Sequence, residues 1–276
     1  MNLLSRVARI WEYRGVMWIL VKRDLRVRYA RSVLGYLWTL IDPLAMTLVY
    51  WFVFDKIYGM KSETRSEGIP FVLFMVAGIL AWNWFNMSVN ETARALYAER
   101  LLVRSTNLPR EMWVIRVVLS KGIEHLMSLP ILIVFTTWFW AHGQVHLNIK
   151  LLLWIPALIL ELILCIGVGL VMAPVTALID DFVRVVRIVL RMGFYFTPIV
   201  YSLQFLEEKR SSLHWLARVL EFNPLTAIND LYRQGMLTRA TPDYHIWLIG
   251  LVVSLAWLVF GMWIFAKLEK PILKEI

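Results

Sequence analysis

Long apolar runs separated by short polar blocks dominate the chain from residue 34 onward. Six of these runs, at about 34–58, 69–96, 113–141, 150–179, 187–206 and 244–266, reach the length of a spanning helix. Such a helix needs roughly 20 residues to cross about 30 Å of hydrocarbon. Lipid offers its backbone groups no partners outside the helix itself. The pattern predicts an all-α integral membrane protein with six transmembrane helices. Ahead of them, Leu3, Val7, Ile10, Trp11, Trp18, Val21 and Leu25 recur at helical spacing, with Arg6, Arg9, Arg14 and Lys22 between them. An apolar, Trp-bearing face opposite a basic one predicts an amphipathic helix on the membrane surface, or a cap packed on a partner. The chain therefore divides into an interfacial and basic segment, 1–33, and a six-span domain, 34–276. Between the fifth and sixth runs, LHWLARVLEF and PLTAINDLY are too short to span. They predict short helices in the outer interface, with a seventh crossing as the competing reading.

Charge gives the bundle a direction. Lys22, Arg23, Arg26, Arg28 and Arg31 stop where the first span begins, so this block is expected on the cytoplasmic side. Arg94, Arg100, Arg104, Arg110 and Arg116 then fall on the same side, as do Arg184, Arg187, Arg191 and the tail with Lys267, Lys270 and Lys274. Both termini become cytoplasmic. The outer loops hold few cations: Lys56, Lys61 and Arg65 in one and Lys150 in the other. The stretch 207–243 is the exception, its Lys209, Arg210, Arg218, Arg233 and Arg239 being balanced by Glu207, Glu208, Glu221, Asp230 and Asp243.

Composition agrees: 59% hydrophobic and 18% charged residues exclude a soluble domain. The net charge of +9 is expected to meet lipid head groups and not nucleic acid. The single cysteine, Cys165, lies in an apolar run and reads as a small buried group, with no internal disulfide. The N-terminus lacks the pattern of a cleaved leader and is expected to be retained.

Catalytic and nucleotide motifs are missing. No G-x-x-x-x-G-K-[ST], H-E-x-x-H or G-x-S-x-G occurs, and no Cys/His cluster has zinc spacing. His142 and His146 are four apart without a third ligand nearby. Glu124 and His125 read as an acid/base pair or as a neutral pair satisfied between helices. Glu161, deep in the fourth run, reads as a proton or substrate site, or as a structural partner of Arg187 or Arg191. Asp42 precedes Pro43, where it could accept N–H groups freed by the kink.

In Tyr97–Met112, Thr106 or Asn107 is placed to cap a helix restarting with Pro109 in its first turn. Arg100, Arg104 and Arg110 with Leu101 and Leu102 predict a short helix docking on a cytoplasmic partner, or a solvated turn. The turn Asp180–Arg184 is generic. Trp82, Trp84, Phe85 and Asn86 in one run, and Phe194, Tyr195, Phe196 and Tyr201 in another, offer faces that stack on sugar rings or pack between helices.

Nearly the whole chain resembles the membrane subunit of ABC-2-type polysaccharide exporters, the permeases of O-antigen, teichoic acid or cell-wall galactan. The resemblance rests on LVKRDLRVRYARSVLGYLWTLIDPL at 20–44, FMVAGILAWNWF at 74–85, LLVRSTNLPREMW at 101–113, YFTPIVYS at 195–202 and FNPLTAINDLYRQGML at 222–237. It implies a homodimer joined to two separate ATP-binding cassette subunits, which use ATP and Mg, so this chain is expected to bind no cofactor or metal and to be no enzyme. A lipid-diphosphate-linked polysaccharide is the implied substrate, crossing the cytoplasmic (inner) membrane. The head group is expected to meet Lys22, Arg23, Arg26, Arg28 and Arg31. Coupling to the ATPase would run through Glu99, Arg100, Leu101, Arg104, Asn107, Pro109 and Arg110. The segment 203–237 matches the family's outer-leaflet gate helices, with Asn223, Pro224, Tyr232 and Arg233 at the gate. Trp82, Trp84, Phe85, Tyr195, Phe196 and Tyr201 fall where such exporters line the sugar path. The chain departs mildly at Leu108, where an aromatic is usual, and at Thr197–Tyr201, where the usual motif is S-P-V-I-Y. An ABC-2 exporter of a lipid or small molecule, or a membrane-embedded glycan enzyme, are the alternatives.

Overall fold

A computed structural model describes residues 3–30, 32–57, 69–203, 205–206, 214–236 and 244–275. Among the described residues every regular element is helical. Helices α1 (Leu3–Glu12) and α2 (Arg14–Tyr29) lead to a 3₁₀ turn at Gly35–Leu37 and to α3 (Trp38–Trp51), which continues as π-helix over Phe52–Ile57. Then follow α4 (Phe71–Ala98), α5 (Arg100–Ser105), α6 (Glu111–Ala141), a 3₁₀ turn at Ile149–Leu153 and α7 (Trp154–Leu178). The last four are α8 (Phe182–Phe196), α9 (His214–Glu221), α10 (Pro224–Gln234) and α11 (Tyr244–Glu275). Arg31, Lys61, Arg65, 207–213 and 237–243 lie outside the described residues.

Five stretches among the described residues are long and apolar enough to cross a membrane: Gly35–Phe54, α4, α6, Ile149–Leu178 and α11. They coincide with five of the expected runs. The run expected at 187–206 instead forms α8, whose 15 residues reach about 22 Å at about 1.5 Å each. Thr197 is extended there (ψ 138°), because a residue before proline is pushed out of the helical region, and Pro198 itself lacks the N–H to continue. Only Val186, Leu190 and Phe194 of α8 are buried, a single stripe against α4.

Helix α4 is the centre of the bundle, buried almost without interruption from Leu73 to Trp82 and touching α3, α6, α7, α8 and α10. The closest helix pair is α7 with α11. A Cβ added at Gly261 would stand 2.3 Å from the Gly167 carbonyl oxygen, and one at Gly167 would stand 2.6 Å from the Leu258 nitrogen. Small residues that let two backbones meet are a main source of helix association in lipid, where apolar burial gives no advantage over the lipid tails. Gly250 lies against Ala227 in the same way and seats α10 on α11.

The N-terminal amphipathic segment is broken at Tyr13 into two helices. Met17 and Val21 are buried, while Val7, Trp11 and Trp18 of the expected apolar face remain exposed. Trp11, Trp18, Trp138, Trp140, Trp215 and Trp263 are exposed, as interfacial anchors are. Lys22 over Trp18 and Lys267 over Trp263 lie 5.6 and 5.2 Å from the ring centroids, at the basic end of the bundle, where Arg6, Arg23 and Arg110 also gather.

Candidate functional site

The basic end is tied together by ion pairs that cross between helices. Arg6 on α1 binds Glu111 at the start of α6 and donates to Glu269 near the end of α11 at 2.7 Å. Burial opposes the Arg6 charge, but the two carboxylates outweigh it and raise its pKa. Arg116 on α6 donates to both oxygens of Asp24 at 2.6 Å and to Glu99 at 3.2 Å. Arg23 bonds the same Glu99 at 2.5 Å, so α2, α4 and α6 share one charge cluster.

A second cluster forms a closed ring of alternating charge. Arg28 Nη2 lies 2.6 Å from Glu91, Lys121 Nζ lies 2.9 Å from Glu91 and 2.8 Å from Glu124, and Arg28 Nε lies 3.1 Å from Glu124. Desolvation works against Arg28, yet Glu91 and Glu124 hold its pKa above the ordinary value. Burial and the Glu124 charge likewise keep the Tyr29 phenol protonated beyond its usual range. Glu124 and His125 are therefore not a pair. Glu124 serves the ring, while His125 Nε2 lies 2.9 Å from the Tyr232 hydroxyl and its ring stacks on Trp84 at 4.9 Å.

Two cavities meet at this ring. The larger, about 860 Å³, opens at the basic end and is walled by Arg23, Arg28, Arg94, Arg116 and Arg187 with Asp24, Glu91 and Glu99. The smaller, about 270 Å³, lies on the other side of Arg28, between α3, α4 and α6. Of the expected head-group residues, Arg23 and Arg28 line the larger cavity, whereas Lys22 and Arg26 are exposed.

The loop after α4 holds the short helix α5, with Leu101 78% exposed and Leu102 beside it, while Val103 is buried. Arg100 rests on the Tyr97 ring at 5.2 Å, Arg104 and Asn107 are exposed, and Arg110 bonds Glu269 at 3.3 Å. The expected cap is not made. Thr106 Oγ1 turns back to donate to the Leu102 carbonyl at 2.7 Å, and α6 starts at Glu111, beyond buried Pro109, without a side-chain cap.

At the opposite end, Asn223 caps α10 by accepting from Leu225 N at 3.1 Å, and it donates to Thr197 Oγ1 at 3.1 Å. Pro224 begins the helix, a position where its missing N–H is harmless. The Arg233 guanidinium is buried and donates to the Pro198 and Ile199 carbonyls at 2.9 and 3.0 Å, lying over the Phe74 ring at 3.4 Å. Gly78 leaves room for it, since a Cβ there would stand 2.9 Å from Arg233 Nη2. The proline turn after α8 and helix α10 are thus fastened into one unit.

The aromatic residues separate into three groups. Trp82, Phe85 and Phe196 line an apolar cavity of about 310 Å³ together with Asn223 and Pro224. Trp84 is buried and donates to the Val118 carbonyl at 3.4 Å. Tyr195 is exposed, and Tyr201 donates to its carbonyl at 3.2 Å. Tyr50 of α3 joins the set by stacking on Phe194, and Phe54 of the following π-helix stacks on Tyr50 in turn, a contribution the run pattern could not single out among lipid-facing aromatics. Glu161 is fully buried beside Tyr232 and Cys165, and neither Arg187 nor Arg191 pairs with it: Arg187 faces the basic cavity and Arg191 is exposed. Asp42 accepts no freed N–H among the described residues; Thr47 Oγ1 takes the Pro43 carbonyl instead, at 2.7 Å.

The sequence matches the ABC-2 type transporter family over residues 16–237. It is 26% identical over 256 residues to the O-antigen export system permease protein RfbA of Klebsiella pneumoniae, covering 91% of each chain. A permease of the same description in Myxococcus xanthus is 26% identical over 242 residues, 87% of each chain. The capsule polysaccharide export inner-membrane protein CtrC of Neisseria meningitidis serogroup B is 23% identical over 267 residues, covering 94% of this chain and 93% of the relative.

Proposed function

The chain belongs to the ABC-2 type transporter family, and from that premise we propose that it is the permease subunit of an ATP-driven exporter of a lipid-linked polysaccharide. ATP is hydrolysed by separate subunits, in keeping with the missing phosphate loop. The observation that carries the reading is the arginine-walled cavity of about 860 Å³ at the basic end, beside α5. The five guanidiniums outnumber the three carboxylates that line the cavity with them, and a diphosphate head group suits that surplus, since guanidinium pairs with phosphate oxygens two bonds at a time.

In this reading the basic end is cytoplasmic and both termini lie there. Two copies of the chain frame the path, and two ATP-binding subunits dock on α5, where exposed Leu101 and Leu102 stand between Arg100 and Arg104. The head group approaches from the inner leaflet, guided by the cations of α2. Nucleotide-driven closure of the ATP-binding subunits pushes on α5 and, through Glu99 and Arg116, on α2 and α6. The permeases part, and the glycan moves outward past Trp82, Phe85, Tyr195, Phe196 and Tyr201 to the unit formed by α10 and the Pro198 turn, which serves as outer gate. No covalent chemistry falls to this chain.

Co-purification with the candidate ATP-binding subunit in lipid, followed by ATPase assays with and without lipid-linked glycan, tests the proposal. A stable complex with two of each subunit, whose hydrolysis responds to glycan, is the expected result. Failure to bind the ATPase subunit, or a rate indifferent to glycan, overturns it.

A further inference from the structure

The cavity of about 270 Å³ beside Arg28 has a lining unlike its neighbours. On α3, Trp38 and Asp42 stand one turn apart and face the same way; on α4, Asn83 and Trp84 complete the wall. Trp38 keeps 46% of its surface open, and Trp84, stacked on His125, forms a rigid floor. Among the described residues neither the Asp42 carboxylate nor the Asn83 amide finds a hydrogen-bond partner, although both border the cavity. Asp42 is exposed and Asn83 half-buried; an unpartnered carboxylate on a membrane-spanning helix is costly in lipid and marks a place where a ligand or water supplies the missing bonds. Here an acceptor carboxylate and a two-way amide stand beside aromatic faces. That set suits a ring with hydroxyls on its rim and C–H bonds on its face. The volume lies below the roughly 300 Å³ at which drug-sized pockets begin, which leaves room for one ring and not for an oligosaccharide.

The position adds a second constraint. Arg28 lines this cavity and the arginine-walled one alike. A ligand carrying an anion with one hydroxyl-rich ring next to it would place the anion among the guanidiniums and the ring between Trp38 and Asn83. Resting on the exporter reading above, we propose that this cavity recognises a single sugar, the one joined directly to the lipid diphosphate. The permease then reads the junction of its substrate within one protomer, before the glycan enters any path between two copies.

The test uses the complete transporter in nanodiscs and two probes: a bare polyprenyl diphosphate, and the same lipid carrying one N-acetylhexosamine. The native protein is expected to bind the sugar-bearing lipid at least about tenfold more tightly, as two or three good hydrogen bonds to the ring allow. Asp42→Asn and Asn83→Ala should each erode that ratio toward unity while the bare lipid still binds. Trp38→Phe should keep the preference and Trp38→Leu should lose it, which separates an aromatic face from mere bulk. Equal binding of both lipids by the native protein overturns the sugar site and leaves the exporter reading standing. Binding of neither overturns both. A preference that survives the Asp42 and Asn83 substitutions overturns the site as well.

Discussion

Trp82 is 7% exposed, edge-on to Phe194 at 5.7 Å, and its ring fills the space above Gly193. Tyr195, beside Phe194, is 64% exposed. Residues given one role by the sequence therefore answer to different forces. Trp82→Ala empties a packed site between α4 and α8 and is expected to cost about 3–5 kcal/mol, read as a fall in Tm of the solubilised protein. Tyr195→Ala should leave Tm within a degree or so and slow glycan export severalfold; export at the native rate would remove Tyr195 from the path. The sequence identifies aromatic clusters but not their faces, because lipid and protein interior accept the same rings. A periodic apolar stripe, which sorts inside from outside in water, is missing from a helix with lipid on one side and protein on the other. Asn223 caps α10, a role open to its short side chain ahead of Pro224, but an Asn-Pro pair serves turns as well, so the sequence alone did not assign it.

Among elements, the charge ring of Arg28, Glu91, Lys121 and Glu124 fixes how α2 lies against α4 and α6. Lys121 is 1% exposed and holds two carboxylates. Lys121→Met should cost about 3–5 kcal/mol, because it leaves two carboxylates sharing the single guanidinium of Arg28. Adding Glu124→Leu should recover part of the loss, because the surplus negative charge is gone. Thermal unfolding of the single and double variants checks both statements, and equal stability of the two would sever the pair. Only the Lys121–Glu124 spacing of three is visible in the sequence; Arg28 and Glu91 join through packing alone. The end of α8 followed local chemistry, at Thr197–Pro198. The start of α6 did not, because Thr106 found the preceding turn before it could cap the next helix.

At the scale of the molecule, Gly167 and Gly261 let α7 and α11 meet backbone to backbone. Gly261→Leu forces a side chain where the nearest atom leaves no room, so a loss of more than the usual 1–3 kcal/mol of overpacking is expected. It should appear as poor assembly on size-exclusion chromatography, while Gly15→Leu, with nothing within 4 Å of its Cβ direction, should assemble normally. The apolar runs made five spans legible because length and composition suffice for each. The glycine contact was not legible, since pairing of distant helices leaves no periodic trace in either. Arg233 shows a different economy. Its bonds to Pro198 and Ile199 go to main-chain carbonyls, which every amino acid carries. The Arg233 lock specifies the shape of the turn and reads no side chain in it, whereas Asn223 reads the hydroxyl of Thr197; the rest of the turn can drift in sequence while these stay fixed. Chimeras that exchange residues 197–201 between relatives should therefore keep the joint intact so long as a hydroxyl side chain stands at 197 and a proline bends the chain after it.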